Sequence, residues 1–505
     1  MSEQRTVFLS VPGGFVARYL LKSDILPTLR AAGARVVALV PEEEGAAMLE
    51  GLDHHLDHEP LRNPPRAPSA EGPDWRRAAR TQLWRLRRFA LDCRDNGRAR
   101  EKYDEYRALT APHSRRAAEL AIHVFITRGL WRSRLLRRLV LWAETQLTHY
   151  DLHADLFDRY RPDLVVAPGL GYYSYDEALL REARDRGIPT AVLIHAWDNP
   201  STKGYRGATA DLVVAWSENM RDQLVRYQDV PASRIEIGGV PQWDGYLRPG
   251  VLPDRAATFD HFGLHGDCRL LVYATPAPNR SGRGGYHSGM EMARWLAQRV
   301  DDGAFGPDVQ LLVRLHPGYG KRGFPEESEF ATLDARYPST HVNRPTLAAE
   351  GILDSMTDQD RSMLGGLLKH CDILINFWST TTLEACLLDT PVVVAHFNPP
   401  GADQPALSDW HQFAHLRALI ESDAARVART GEELVEAVHA YLADPALDRS
   451  RRARIALQEC GPLDGYAGRR VGHILLSALG LERADWDDSG ARTTAQAMTA
   501  VEEAR

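Results

Sequence analysis

Two short stretches of this chain carry residue types that can hold a phosphorylated leaving group. In Arg314-Leu315-His316-Pro317 a cation and a histidine alternate with leucine at the end of an apolar run. The alternation puts Arg314 and His316 on one face of a strand, which Pro317 ends. Arginine pairs with phosphate oxygens and a histidine N–H can donate to one; a strand-end histidine bonded to backbone is the plainer alternative. In the second stretch the apolar run Ile373 to Phe377 leads into Ser379, Thr380, Thr381 and Thr382, then LEACLL and a second apolar run, Val392 to Ala395. This spacing predicts strand, hydroxyl loop, helix and strand, a parallel βαβ unit. The loop falls at a helix amino end, where unpaired N–H groups and the helix dipole favour an anion. Glu384, just inside that helix, can accept from a ribose or sugar hydroxyl. Serine or threonine with a nearby glutamate is equally an ordinary N-cap. Another strand end, Thr275 to Gly282, adds the Thr275 hydroxyl and the Arg280 cation.

A third polar stretch lies earlier, His195-Ala196-Trp197-Asp198-Asn199-Pro200-Ser201-Thr202-Lys203-Gly204, after the apolar run TAVLI. Open α/β sheets place ligands at the carboxyl ends of their strands. There His195 or Asp198 can take the proton of an acceptor hydroxyl, Lys203 can offset phosphate charge, and Trp197 and Asn199 can line the acceptor. Asp-Asn-Pro is also good turn chemistry and Trp197 also suits a core. Near the amino end, Pro12-Gly13-Gly14-Phe15 follows a strand pattern, and glycines there let a backbone approach a ligand. The full GxGxxG spacing is missing, so a dinucleotide site is not expected; a plain tight turn is the alternative to an acceptor-side loop.

These loops need strands and helices to hold them. Thr6–Val11, Ala34–Val40, DLVVA, TAVLI, ADLVVAW and RIEIGG read as strands separated by helical patterns, which predicts a parallel sheet covered on both faces. A linker rich in Pro, Gly and Asp follows Asp244-Gly245 and predicts a boundary. A second α/β unit then opens with RLLVYA. The expected division is 1–246, 247–482 and a tail, 483–505, of little apolar periodicity. Residues 75–150 break the rhythm with long helical patterns. From Arg76 to Arg138 there are 18 Arg or Lys against 6 Asp or Glu, a local excess of 12 positive charges. Trp84, Leu86, Phe89, Trp131, Leu135, Leu136, Leu139 and Trp142 are interleaved among them. Such a pattern suits either contact with an anionic membrane surface or an inserted layer with a solvated basic face.

With 505 residues, 44% hydrophobic and 26% charged, the chain can bury more than one core. The formal net charge of −7 argues against nucleic acid as a partner. Five scattered cysteines without CxxC spacing predict reduced thiols rather than a disulfide frame or zinc site. The amino end has no signal-peptide pattern and no apolar run is long enough to span a bilayer, so a cytoplasmic protein, with peripheral contact at the inner membrane face, is expected. Asp358-Gln359-Asp360 has the DxD form; it falls in a polar stretch, Phe324 to Arg361, that reads as irregular, and is not taken as a metal site.

WDNPSTKG (197–204), GGVPQWDGY (238–246), RLHP (314–317), STTTLEACLLDTPVV (379–393) and the late DGYAGRRVGHIL (464–475) occur in that order. Together they resemble the GT-B glycosyltransferase group of bacterial surface-polysaccharide synthesis, including sequences related to CDP-glycerol glycerophosphotransferases. The resemblance covers about residues 160 to 475. It implies an α/β fold of two Rossmann-like domains facing across a cleft, with 75–150 a helical insertion in the first. It also implies that Arg314, His316, Ser379 to Thr382 and Glu384 hold the diphosphate and ribose of a nucleotide-sugar donor, and that the 195–198 loop supplies the base toward a glycan, lipid-linked or small-molecule acceptor. The HAWDN surroundings of His195 differ from the glycerophosphotransferase pattern. The expectation is a metal-independent glycosyltransferase with no cofactor beyond the nucleotide-sugar co-substrate. The alternatives are a CDP-polyol phosphotransferase, a sugar-nucleotide 2-epimerase and a non-catalytic, membrane-surface partner of a polysaccharide assembly complex.

Overall fold

The computed structural model describes residues 4–481, except 44, 50–51, 53–55, 65–73, 111–115, 279–288, 321–328, 348–355 and 401–409. Thirteen strands form two sheets. The first contains β1 (Thr6–Ser10), β2 (Arg35–Val40), β3 (Asp57–Pro60), β4 (Leu164–Ala167), β5 (Thr190–Leu193), β6 (Leu212–Ala215) and β7 (Ile235–Ile237). Its order is β3-β2-β1-β4-β5-β6-β7, parallel throughout, with Val7 beside both Val36 and Leu164. The second contains β8 (Arg269–Ala274), β9 (Val309–Arg314), β10 (Thr340–Asn343), β11 (Ile373–Asn376), β12 (Val392–Ala395) and β13 (Arg426–Ala428). Its order is β10-β9-β8-β11-β12-β13, again all parallel. The central strands are runs of Val, Leu and Ile buried on both faces, as a helix-covered parallel sheet requires. These are two Rossmann-like α/β units, the fold expected of a GT-B chain.

Among the described residues one compact unit runs to Gln242 and takes back Trp410–Arg417 and residues 466–481; the other begins at Trp243 and includes Ala418–Gly465. The closing helix Ala467–Ala478 therefore belongs to the first unit. It lies tightly on the start of helix Ile25–Ala31. A Cβ on Gly468 would stand 2.8 Å from the Asp24 backbone nitrogen, and one on Gly472 2.7 Å from Thr28 side-chain carbons. Between β1 and β2 lie two helices, Gly14–Leu20 and Ile25–Ala31, with the break at Lys22-Ser23-Asp24. The stretch 451–481 likewise splits, into Arg449–Cys460 and Ala467–Ala478.

Residues 74–147 form helices Asp74–Arg88, Gly97–Thr110, Arg116–Val124 and Arg134–Leu147, with a π-helical turn at Phe125–Leu130. Their inner faces make a core of their own from Phe89, Tyr103, Ile126, Leu130, Trp131, Val140 and Leu141, joined by Tyr205 and Tyr227 of the sheet unit. Two buried ionic clusters pin this insert. Arg87 bonds Glu144 within the insert and Glu177 (2.6 Å) in helix Ser174–Asp185, beside Arg181. Arg137 grips Asp229 with two bonds of 2.8 Å, and Tyr205 donates to the same carboxylate at 3.0 Å. All six of these carboxylates and guanidiniums are nearly solvent-free, so the insert is built into the first unit rather than appended to it. The five cysteines are buried and free. Among the described residues no helix is long and apolar enough to cross a membrane.

Candidate functional site

In the first sheet the chain leaves β1 toward β2 on one side and returns as β4 on the other. The loops after β1 and β4 diverge, which opens a crevice at the carboxyl ends of those strands. His195, just past β5, points its Nδ1 at the carbonyl oxygen of Pro168 in the loop after β4, 2.7 Å away. A carbonyl only accepts, so Nδ1 carries the proton and Nε2 is left with its lone pair. Phe15, in the first turn of helix Gly14–Leu20 after β1, meets the imidazole edge-on at 5.8 Å. The ring is 8% exposed. Burial lowers its pKa, outweighing the Pro168 bond and Asp198, so the imidazole is neutral at neutral pH. Gly13 is extended, with open space where a Cβ would be, and Gly14 starts the following helix.

The turn after His195 is held from several sides. The Asp198 carboxylate accepts from the Thr202 hydroxyl at 2.6 Å and lies 3.3 Å from Lys203 Nζ. Burial alone would raise its pKa, but Lys203, His415, Thr202 and Lys102 together hold it well below the usual carboxylate range. Asp198 is thus placed as a fixed negative charge, not as a proton acceptor, and Lys203 as its partner. Trp197 is core: it is buried and packs edge-on against His415, ring centroids 5.4 Å apart. Asn199 is also fully buried, its amide nitrogen 3.4 Å from His195 Nδ1. Where the loop after β4 crosses the 204–208 stretch, a Cβ on Gly171 (φ +73) would be 2.8 Å from the Ala208 nitrogen. Only glycine suits that crossing.

Sequence reasoning missed the residues that reach this turn from afar. Lys102, on the insert, donates to the Thr202 carbonyl at 2.7 Å, and Asn96 to that of Ser201 at 2.8 Å. Burial, with Lys203 and Arg98 nearby, brings Lys102 down to about 8. His415 arrives from a distant part of the chain, and burial lowers it to about 4. Beneath the crevice Asp176 is solvent-free, 3.4 Å from the Ser10 hydroxyl, and burial raises its carboxyl pKa well above the usual value. No spacing in the sequence signals these meetings.

The second sheet switches direction between β8 and β11; the loops after those two strands flank that point, and the RLHP loop follows the neighbouring β9. The Thr275 hydroxyl, after β8, accepts from the His316 backbone N–H at 2.9 Å. His316 Nδ1 accepts from the Gly318 N–H at 3.0 Å, so in the neutral ring Nε2 carries the proton and donates. Ser379 caps helix Thr380–Leu387 by position, but its hydroxyl does not bond the first-turn N–H groups. Thr380 is exposed and Thr381 half-buried. Thr382 is buried, 2.9 Å from Asn376 Nδ2, and holds the loop to β11. Glu384 accepts from the Tyr246 hydroxyl at 2.7 Å. Arg280 lies outside the described residues.

Arg314 is where its strand pattern puts it, but its guanidinium is already engaged. It bonds both oxygens of Asp360, one at 3.2 Å and the other closer, and Asn343 Oδ1. It therefore stands as a support beneath the β9 loop rather than as a ligand for phosphate. The stretch around Asp358-Gln359-Asp360 is likewise not irregular. It is the first turn of helix Asp358–His370, capped by Thr357, with Asp360 turned inward. Among the described residues no group of three or more His, Cys, Asp or Glu side chains is placed to hold a metal ion.

No protein-family model and no curated protein sequence matches the chain. Solved structures do. A putative UDP-N-acetylglucosamine 2-epimerase from Listeria monocytogenes aligns over 96% of this chain and 99% of its own, with a TM-score of 0.52 and 12% identity. Another UDP-N-acetylglucosamine 2-epimerase gives 0.51 at 14% identity, covering 96% and 99%. A glycosyltransferase from Rickettsia africae covers 95% and 100% at 10% identity, with a TM-score of 0.48. At such identities the likeness carries the fold alone.

Proposed function

We propose that the chain is a glycosyltransferase of GT-B type that moves a sugar from a nucleotide-activated donor to a hydroxyl of a glycan, lipid-linked or small-molecule acceptor in surface-polysaccharide or glycoconjugate synthesis. One observation carries the reading: His195, at the carboxyl end of β5, is held with its proton on Nδ1 by the Pro168 carbonyl of the loop after β4, so that Nε2 keeps its lone pair. His195 presents a lone pair, the form a general base needs. In the second unit His316 follows β9 and the amino end of helix Thr380–Leu387 follows β11, both at carboxyl ends of strands of one sheet, where a leaving diphosphate would be held. In the step they suit, the acceptor oxygen attacks the anomeric carbon and its proton passes to His195 Nε2. The bond from that carbon to the diphosphate breaks, and its electron pair goes to the diphosphate oxygens. His316 Nε2–H, the amides and hydroxyls of Ser379 to Thr381, and Glu384 on the ribose hold the departing nucleotide.

The test is release of nucleotide from UDP-, GDP- and CDP-sugars in the presence of glycan and lipid-linked acceptors. Nucleoside diphosphate released by wild type, and lost in both His195→Asn and His316→Ala, supports the reading. Nucleoside monophosphate from a CDP-polyol, with a phosphodiester product, replaces it with a phosphotransferase. The buried Asp176 carboxyl, 3.4 Å from the Ser10 hydroxyl at the end of β1 and with its pKa raised by burial, gives the same crevice a second acid–base group and favours a second reading, 2-epimerisation of the donor. That reading is checked by NMR of UDP-N-acetylglucosamine in D2O without acceptor. Deuterium at C2 and a second epimer would decide for it. No turnover of any nucleotide donor would remove both.

A further inference from the structure

Large apolar side chains left in solvent are concentrated on the insert. Of the twelve found among the described residues, nine lie between Trp75 and Trp142. Six of them form two stripes on successive helical segments: Leu120, Val124 and Phe125, then Leu135, Leu139 and Trp142. The spacings of four and one, and of four and three, keep each stripe on one side of its helix. The opposite sides carry Ile126, Leu130, Val140 and Leu141 into the insert's core, so the stripes face away from it. They are well exposed, Leu135 at 66%, Trp142 at 62% and Leu120 at 60%. The segments meet at Gly129, where a Cβ would touch both Phe125 and Leu136 at 3.4 Å. Arg128, Arg132, Arg134 and Arg138 are exposed along the same segments. Between residues 116 and 142 the one acidic side chain is Glu119, and Arg85 holds it through both guanidinium nitrogens.

We propose that this outer face of the insert, Leu120–Phe125 and Leu135–Trp142 with Arg128 and Arg132, seats on an anionic membrane surface; Arg134 and Arg138 along the same segments also reach Asp229 of the sheet unit. Aromatic and aliphatic side chains enter the headgroup boundary while arginines meet lipid phosphates, the usual division of labour on an interfacial helix. A second copy of the chain is a poor occupant, because a two-fold contact would set arginines against arginines. Nucleic acid is a poor occupant too, since the apolar stripes would stay wet and the whole chain carries a net −7. The insert that would rest on lipid also sends Lys102 and Asn96 to the turn after His195.

The test is flotation of the full chain with vesicles of phosphatidylcholine alone and of equal parts phosphatidylcholine and phosphatidylglycerol. Deleting the insert is unsuitable, because Arg87 and Arg137 make buried ion pairs with the sheet unit. The exposed set Leu135→Ser, Leu139→Ser and Trp142→Ser is used instead, with Arg128→Gln and Arg132→Gln as a second variant and an unchanged melting temperature as the fold check. Wild type is expected to float with the mixed vesicles only. The apolar variant should lose affinity about tenfold or more, and each arginine removed about fivefold, less at high salt. Wild type that ignores the mixed vesicles, or an apolar variant that binds them as well, overturns the proposal. So does self-association by sedimentation that the apolar variant abolishes without any vesicle binding.

Discussion

Replacing Arg314 with alanine should unfold the second unit's sheet edge long before it reports on phosphate. Arg314 and Asp360 have side-chain exposures of 5% and 4%. Without the guanidinium, the Asp360 carboxylate keeps the Thr346 N–H at 3.1 Å and its own helix terminus, but no counter-charge. Breaking a buried pair from one side costs about 3–5 kcal/mol. In a unit of this size each kcal/mol moves the melting point by about 2–4 °C, so a fall of roughly 6–20 °C is expected. The paired change Arg314→Met with Asp360→Leu removes both charges and should recover most of that loss. The assay is thermal and urea unfolding of both variants, with and without nucleotide. If Arg314 is a support, the double variant keeps its nucleotide-induced stabilisation. The reasoning fails if Arg314→Ala costs less than about 1 kcal/mol yet abolishes that stabilisation. The guanidinium would then bind ligand, and its bond to Asp360 would be incidental.

His195→Asn should lower kcat/KM by about 10²–10⁴ with little change in melting temperature. Because burial lowers the imidazole pKa, the wild-type rate should reach its plateau below the free-histidine value of about 6.5; a basic limb still rising above neutral would count against His195 as the base. His415, at about 4 in the fold, takes up its proton more readily when unfolded. Its contribution is therefore complete above about 6.5 and is lost as pH falls toward the folded value. Melting temperature against pH for wild type and His415→Phe should converge in acid, and parallel curves would contradict this. Arg87→Ala leaves Glu144 and Glu177 short of a partner in the interior and should cost about 3–5 kcal/mol. Urea unfolding with proteolysis of the insert measures it; unchanged stability would mean the insert is held by its apolar core alone.

The central strands were legible because a strand buried on both faces is a run of Val, Leu and Ile, as in β5, β6 and β12. The edge strands β3 (DHEP) and β13 (RVA) were not, since each rests on backbone pairing to one neighbour and carries no apolar signature. The loops after β5, β8, β9 and β11 could be placed by the rule that ligands gather at carboxyl strand ends, and two of them flank the second sheet's switch. What the sequence hid was who else would reach those loops. Arg314 stood on the right strand and face, yet nothing in RLHP points to Asp360, 46 residues on. One signal was available: Thr357-Asp358-Gln359-Asp360 has the S/T-x-x-D form of a helix start, and that would have turned the irregular stretch into a helix with an inward aspartate. For His415 there was none, because its place is set by a return of the chain.

That return has a consequence for how the protein is made. Helix Ala467–Ala478 seals helix Ile25–Ala31 through Gly468 and Gly472, while Trp410–Arg417 meets the insert and the turn after His195. A nascent chain that has finished β7 therefore holds a first unit with a bare groove and a missing wedge. At synthesis rates of about 5–20 residues per second it waits roughly 10–50 s for the pieces that close it. During that interval the apolar side chains waiting for the closing helix are open to chaperones and to other nascent chains. A stop codon between β7 and helix Ala467–Ala478 should yield aggregates of the amino-terminal half, although every strand of its sheet has been made.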